Sequence, residues 1–167
     1  MNVETHLQNV EQNRMRLMIE ETIADLCSTS SLFLRNMVVV DLGCSSGPNA
    51  LALVSIAVDA IHNQCLHFQQ PQAEVCVLLN DLPENDFNMV VKSLVAFQQS
   101  KKSVVTGIVP GSFYERLFIS GSLHLVCSSN SLHWLSKVWN LQSLMAPLHH
   151  LSILQQKKLF VDLTTGS

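Results

Sequence analysis

Short apolar runs that alternate with helix-length segments constrain the fold of this chain more than any other feature. The first run, Met37–Val40, is continuously apolar and mostly β-branched, which is typical of a strand buried on both faces of a parallel sheet. Similar runs predict strands at Val75–Leu79, Val104–Val109 and Leu123–Cys127, and a fifth at Leu159–Leu163. Strands that alternate with helices form right-handed βαβ units, so the sequence predicts an α/β fold with an open, mostly parallel sheet and helices on both faces.

Three segments carry apolar residues at every third or fourth position, which is the period of an amphipathic helix. They are Asn13–Leu26, Pro48–His62 and Asp86–Phe97. Ligands of open α/β sheets bind beyond the carboxyl ends of the strands. The residues that directly follow each predicted strand are therefore the candidates for a functional site.

The high apolar content indicates a large core, and the low charge content indicates that part of the surface is covered by a partner or a further segment. Apolar residues make up 47% of the 167 residues and charged residues only 14%, with a mean hydropathy of +0.24. The net charge is −3, and basic residues cluster only at Lys101-Lys102 and Lys157-Lys158. A nucleic-acid partner is not expected, because binding phosphates requires a basic face.

The cysteines and the N-terminus predict a cytoplasmic protein. The five cysteines are odd in number and widely spaced, which favours free thiols in a reducing compartment over disulfides or a zinc site. The chain opens without a signal-peptide pattern, and no apolar run has the length that spans a bilayer. No membrane association is expected.

The loop after the first strand reads DLGCSSGPN and has the features of a ligand cradle. Gly43 and Gly47 allow a tight turn and a close approach of the backbone, and the N-terminus of the next helix offers free N–H groups. Glycines also shape such turns for structural reasons alone, and that alternative stays open. The spacing lacks the third glycine of a dinucleotide fingerprint, which disfavours a nicotinamide cofactor.

An acidic residue, Asp81, ends the second predicted strand, where βαβ folds place the carboxylate that binds ribose hydroxyls. The alternative role is to cap the following helix, and Asn85 or Asp86 is better placed for that role. The sequence therefore predicts that Asp81 can bind ribose while Asn85 or Asp86 caps the helix.

Four segments, in this order, resemble the signatures of the plant SABATH methyltransferases: DLGCSSGPN, NDLPENDFN, VPGSFYERLF and SSNSLHWLSKV. The resemblance covers Met37 to Val138. It implies a Rossmann-like class I methyltransferase fold and methyl transfer from S-adenosylmethionine to the carboxylate of a small acid such as salicylate, benzoate or jasmonate, or to a xanthine nitrogen. It also implies a leading segment, residues 1–36, that forms part of a lid, and a cofactor domain, residues 37–167.

The same resemblance assigns the site residues. Cofactor-binding positions at the methionine, ribose and adenine parts are Gly43, Cys44, Asn49, Asp81, Leu82, Ser112, Phe113, Ser128 and Ser129. Substrate-binding positions are Gln12 and Trp134, with Asn130 and His133 beside them. Without the resemblance, Trp134 would be interpreted as an ordinary core aromatic residue.

No histidine is expected to act as a catalyst, because a carboxylate acceptor is already ionised at neutral pH and needs no general base. The adjacent residues His149 and His150 would point to different sides of a helix or strand, which makes a poor metal site. His124 is interpreted as a residue of the fourth strand that faces a neighbouring helix.

The chain departs from the SABATH pattern in three places. The segment Glu4–Asn9 lacks the tyrosine of the family's lid, residues 139–150 do not follow the family, and the sequence stops before the family's helical cap. We therefore expect a truncated chain that binds cofactor weakly and self-associates. An alternative from another class is a non-catalytic, truncated family member that keeps the fold and serves only as a dimerisation partner or has no function, since family members are commonly dimers.

Overall fold

The computed structural model describes residues 3–29, 35–46 and 50–128, with side chains from residue 13 to 28 in the first range. Three helices and four strands alternate along these ranges. In chain order they are α1 (Val3–Thr29), β1 (Asn36–Leu42), α2 (Ala52–His67), β2 (Glu74–Asp81), α3 (Phe87–Ser100), β3 (Val104–Pro110) and β4 (Leu125–Cys127).

The four strands form one parallel sheet in the order β3-β2-β1-β4. Val39 in the middle of β1 pairs with Val77 on one side and with Leu125 on the other. Strands β2 and β3 are added on one side of β1, whereas β4 lies on its other side. Parallel sheets bind ligands where the strand order reverses in this way, beyond the carboxyl ends of β1 and its neighbours. The prediction of a Rossmann-like, parallel α/β fold is confirmed.

All three helices of the described ranges pack against one face of the sheet. Alternate strand residues point to this face, among them Met37, Val39, Val77 and Leu125. The contacting residues of α1 are Met15, Ile19, Ile23 and Leu26, spaced by three or four positions as the sequence predicts. This layer holds most of the buried apolar residues and fixes the sheet against the helices.

The opposite face is covered by the irregular segment between β3 and β4. Phe118 and Leu123 of this segment pack on Val40, Leu42 and Val126 of the strands. No helix occurs between residues 111 and 123. The described part of the chain therefore has helices on one face and a packed loop on the other.

The helix bounds differ from the predicted ones. The first helix begins at Val3 and ends at Thr29, well beyond Asn13–Leu26, and α2 begins and ends about four to five residues later than Pro48–His62. The fifth predicted strand, Leu159–Leu163, lies outside the described residues, and the division at residue 36 stays a prediction.

The interpretation of His124 is wrong. The fourth strand begins only at Leu125, and the ring of His124 bonds to the backbone of β1 instead of facing a helix. The ring Nδ1 of His124 accepts from Val38 N at 3.0 Å, and the backbone N–H of His124 donates to Val38 O at 2.9 Å. Burial lowers the pKa of His124, which keeps Nδ1 a neutral acceptor.

Candidate functional site

The carboxyl ends of the parallel strands lie at one edge of the sheet, and polar residues gather there. Strands β1, β2 and β3 end at Leu42, Asp81 and Pro110, and the segments that follow contact one another. The described ranges contain no cluster of three or more metal-ligating side chains. None of the helices in those ranges is both long enough and apolar enough to cross a bilayer.

The loop after β1 is folded tightly against the end of β2. The N–H groups of Gly43 and Cys44 both donate to Asn80 O, at 2.9 and 3.0 Å. Gly43 has φ +72°, and the next turn residue, Ser45, has φ +61°, a left-handed conformation that non-glycine residues adopt rarely. The backbone of this loop is therefore held in an unusual shape by contacts from β2.

The Cys44 side chain points into the core and not into the loop's open side. It is 5% exposed and packs with the apolar residues under the helices. Burial, reinforced by the charges of Asp41 and Asp81, raises the pKa of the Cys44 thiol to about 12. Its contribution to any bound ligand would therefore come from its backbone, since the thiol stays protonated and enclosed.

Asp81 is the carboxylate that joins the first loop to the second. Its Oδ2 accepts from Ser45 N at 2.7 Å, and its Oδ1 accepts from Leu82 N at 2.8 Å. Helix α3 is capped by Asp86, whose Oδ1 accepts from Asn88 N at 3.1 Å. Asp86 and not Asp81 therefore caps α3, as the sequence predicts for Asn85 or Asp86. Asp81 retains acceptor capacity for further hydroxyl groups. The Leu82 side chain beside it is 52% exposed.

Asp41 is a buried carboxyl residue at this edge that the sequence analysis did not single out. It is the penultimate residue of β1 and 3% exposed, and its Oδ1 has no hydrogen-bond partner in the described part of the chain. Burial, together with the nearby charge of Asp81, raises the pKa of Asp41 to about 8. In the sequence, Asp41 is visible only as a carboxylate directly after an apolar run. Its burial results from the assembled sheet and cannot be read from the local sequence.

The loop after β3 is bound to β2 in the same way as the first loop. Gly111 N donates to Asp81 O at 2.9 Å, and Gly111 has φ +148°, where a side chain would be strained. A Cβ there would also come within 2.6 Å of Leu117 Cδ2. The predicted residues Ser112 and Phe113 follow directly, both half-buried.

At the end of β4, Ser128 is buried and its Oγ donates to Leu42 O at 3.0 Å, which ties β4 to β1. The backbone of Gln12 belongs to α1, but its side chain is outside the described residues. Also outside them are the predicted positions Asn49, Ser129, Asn130, His133 and Trp134.

The described edge therefore brings together Gly43, Cys44, Asp81 and the Ser112-Phe113 pair, and it adds Asp41. A buried carboxyl oxygen without a donor suits a ligand with a cationic N–H group. A second, partly exposed carboxylate at the end of the next strand suits vicinal hydroxyl groups. A ligand with both features, such as S-adenosylmethionine, fits this edge.

Comparison with known proteins gives one consistent result. The sequence model of a family described as "SAM dependent carboxyl methyltransferase" matches residues 2–146. The match includes the leading helix as well as the four segments between Met37 and Val138.

Curated relatives come from plants. The chain is 43% identical over 137 residues to jasmonate O-methyltransferase of Arabidopsis thaliana, covering 74% of this chain and 35% of that protein. It is 45% identical over 105 residues to salicylate/benzoate carboxyl methyltransferase of the same plant, covering 60% of this chain and 28% of that protein. The chain thus spans about a third of the length of the curated relatives it matches.

A solved structure described as loganic acid methyltransferase with SAH is also similar. It has a TM-score of 0.64 and 30% sequence identity, and the match covers 76% of this chain and 36% of that chain. The similarity in sequence and the similarity in fold therefore point to the same group of proteins.

Proposed function

Because the chain belongs to the SAM-dependent carboxyl methyltransferase family, we propose that it binds S-adenosylmethionine at the carboxyl ends of β1, β2 and β3 and serves methyl transfer to the carboxylate of a small plant acid. The observation that carries this proposal is the pair of carboxyl groups at that edge. Asp41 holds a buried oxygen without a partner, and Asp81 holds the glycine loop while keeping acceptor capacity.

Each part of the cofactor has a proposed partner on this edge. The methionine ammonium group would meet Asp41, and the backbone of Gly43 and Cys44 would line that end together with Asn49. The ribose hydroxyl groups would bond to Asp81. The adenine would lie between Leu82 and the Ser112-Phe113 pair, with Ser128 and Ser129 completing the pocket.

The chemistry requires orientation more than proton transfer. Bound S-adenosylmethionine supplies an activated methyl group on a sulfonium centre, and a carboxylate acceptor is ionised at neutral pH. The chain's task is to hold the acceptor oxygen in line and to exclude water, which lowers a barrier by about 7 to 11 kcal/mol in well-oriented systems. We assign the amide of Gln12 and the indole N–H of Trp134 as the donors that hold the acceptor, with Asn130 and His133 beside them.

The names of similar proteins support the proposed substrate class. Jasmonate, salicylate, benzoate and loganic acid, named for three similar proteins, all carry a carboxyl group on a small organic scaffold. A small carboxylic acid is therefore the proposed acceptor for this chain.

A calorimetric titration of the 167-residue chain with S-adenosylhomocysteine tests the cofactor proposal. We expect saturable binding that Asp81→Ala weakens by more than about tenfold, because it loses both the ribose contact and the Ser45 contact. Asp86→Ala is the matched control. It removes a neighbouring carboxylate and costs about 1 kcal/mol of stability through the lost helix cap, but leaves the affinity unchanged.

Absence of saturable binding by a chain that circular dichroism shows to be folded would overturn the cofactor proposal. If binding is present, transfer of a labelled methyl group from S-adenosylmethionine to a panel of small acids tests the reaction. Binding without transfer to any acid would leave a cofactor-binding protein and overturn the enzymatic part.

A further inference from the structure

The last two residues of β2 hold the loops on both sides of that strand. Strand β2 lies between β1 and β3, so its end contacts both the loop after β1 (the first loop, residues 43–46) and the loop after β3 (the third loop, residues 111–113). On the β1 side, Asn80 O accepts the N–H groups of Gly43 and Cys44. On the β3 side, Asp81 O accepts from Gly111 N at 2.9 Å.

The side chain of Asn80 adds a second connection to the third loop. Its Nδ2 donates to Val109 O at 2.8 Å and to Gly111 O at 2.9 Å. Val109 is the direct neighbour of Asn80 in the β2–β3 ladder, so that pairing exists without the side chain. The bond to Gly111 reaches beyond the strand and fixes the turn that precedes Ser112 and Phe113.

Asn80 is a costly residue for this position. It is 0% exposed, and its Oδ1 has no hydrogen-bond partner in the described part of the chain. A buried acceptor without a donor is unfavourable, and an apolar side chain of similar shape would avoid that cost. The bonds from its Nδ2 to Val109 O in β3 and to Gly111 O in the third loop are what an apolar residue could not provide.

We propose that Asn80 is a positioning residue whose side-chain amide holds the third loop at the end of β2, next to the first loop, and thereby determines how tightly the chain holds S-adenosylmethionine. The inference rests on the proposed function, because those loops are the proposed partners of the cofactor's methionine and adenine ends. The Asn80 side chain acts through Gly111 and does not need to touch the cofactor, whereas Gly43 and Cys44 bond to the backbone carbonyl of residue 80, which any residue would supply.

The test compares three variants by two measurements. Asn80→Ala removes both donors, and Asn80→Ser keeps one hydroxyl donor in case the alanine variant is poorly folded. Val58→Ala is the control, because Val58 is also 0% exposed but lies on α2 in the helix-facing core. The measurements are calorimetric titration with S-adenosylhomocysteine, at a temperature where each protein is folded, and hydrogen exchange of residues 43–46 and 109–113.

We expect Asn80→Ala to weaken binding by about tenfold or more, with Asn80→Ser between it and the wild type. Hydrogen exchange should accelerate in residues 109–113 of Asn80→Ala, whereas residues 43–46 should keep their protection, because the backbone carbonyl of residue 80 still accepts from Gly43 and Cys44. Val58→Ala should lose stability through its cavity but keep the wild-type affinity and the wild-type difference between the loops and the rest of the chain.

Two results would overturn the inference. One is an Asn80→Ala affinity within about twofold of the wild type, and the other is an equal loss in Val58→Ala. If the wild-type chain does not bind S-adenosylhomocysteine, the proposed function fails on its own account. The exchange data then decide the role of Asn80, and unchanged protection of residues 109–113 in Asn80→Ala would exclude it.

Discussion

The buried carboxyl group of Asp41 makes stability depend on pH in a direction opposite to that of most acidic residues. Its pKa is raised to about 8, so the folded chain holds a proton that the unfolded chain releases near pH 4. The stabilising contribution is full below pH 4 and is lost as the pH rises towards 8. Asp81, Cys44 and Cys127 lie close enough to interact with it electrically.

Asp41→Asn should remove this pH dependence, because the amide keeps the shape and cannot ionise. We expect the variant to match the wild type below about pH 4 and to be more stable at pH 8 by an amount on the order of a few kcal/mol. Urea unfolding across this pH range measures the effect. Glu74→Gln changes an exposed carboxylate at the opposite end of β2 and serves as control. Parallel curves for Asp41→Asn and the wild type would contradict the prediction.

Cofactor binding should expel the Asp41 proton. A cationic ammonium group next to Asp41 favours the ionised carboxylate, so binding at pH 6.5 should release up to one proton. Titration with S-adenosylhomocysteine in buffers of different ionisation enthalpy measures this release. Asp41→Asn should bind without releasing a proton, and an equal release by both proteins would show that another group titrates.

The packing of α1 on α2 should dominate the stability of the leading helix. Ile23 is 0% exposed in the core between the helices and the sheet, whereas Leu17 on the same helix is 67% exposed. Ile23→Ala should cost about 2 to 5 kcal/mol, and Leu17→Ala should change stability by less than about 0.5 kcal/mol. Urea unfolding checks both. Equal effects would mean that α1 does not dock through this face.

The strands were the most predictable elements, because continuous β-branched runs such as Met37–Val40 have few alternatives to a buried parallel strand. The extension of α1 to Val3 was not predicted, since residues 3–12 are largely polar and lack the apolar stripe. The fourth strand was predicted, but its start at Leu125 instead of Leu123 was not. The ring Nδ1 of His124 accepts the N–H of Val38, where a paired strand would offer a backbone carbonyl, and this contact is visible only once β1 lies alongside.

Two kinds of site residue were predictable from the sequence. Gly43 was predictable because a tight turn after a strand favours glycine, and Asp81 because it is a carboxylate at the end of a strand. Asp41 and Asn80 could not be recognised as special, because their unpartnered oxygens result from burial by distant segments. The carbonyl of Asn80 also binds residues more than 30 positions away. Residues that hold a site together through such contacts leave no local pattern.

The outer edge of the described sheet should favour association between copies of the chain. Strand β3 has no neighbour on its outer side within this sheet, and its Val105 side chain is 59% exposed. An exposed strand edge with apolar side chains is a template for pairing with another chain, and a lysine on such an edge suppresses that pairing. We expect the average mass in sedimentation velocity to rise with concentration above the 18.6 kDa of one chain. Val105→Lys should return the average mass towards that value. Leu66→Lys makes the same charge change at a 75% exposed position on α2 and should leave the average mass unchanged. If the two variants behave alike, net charge and not the β3 edge governs the association.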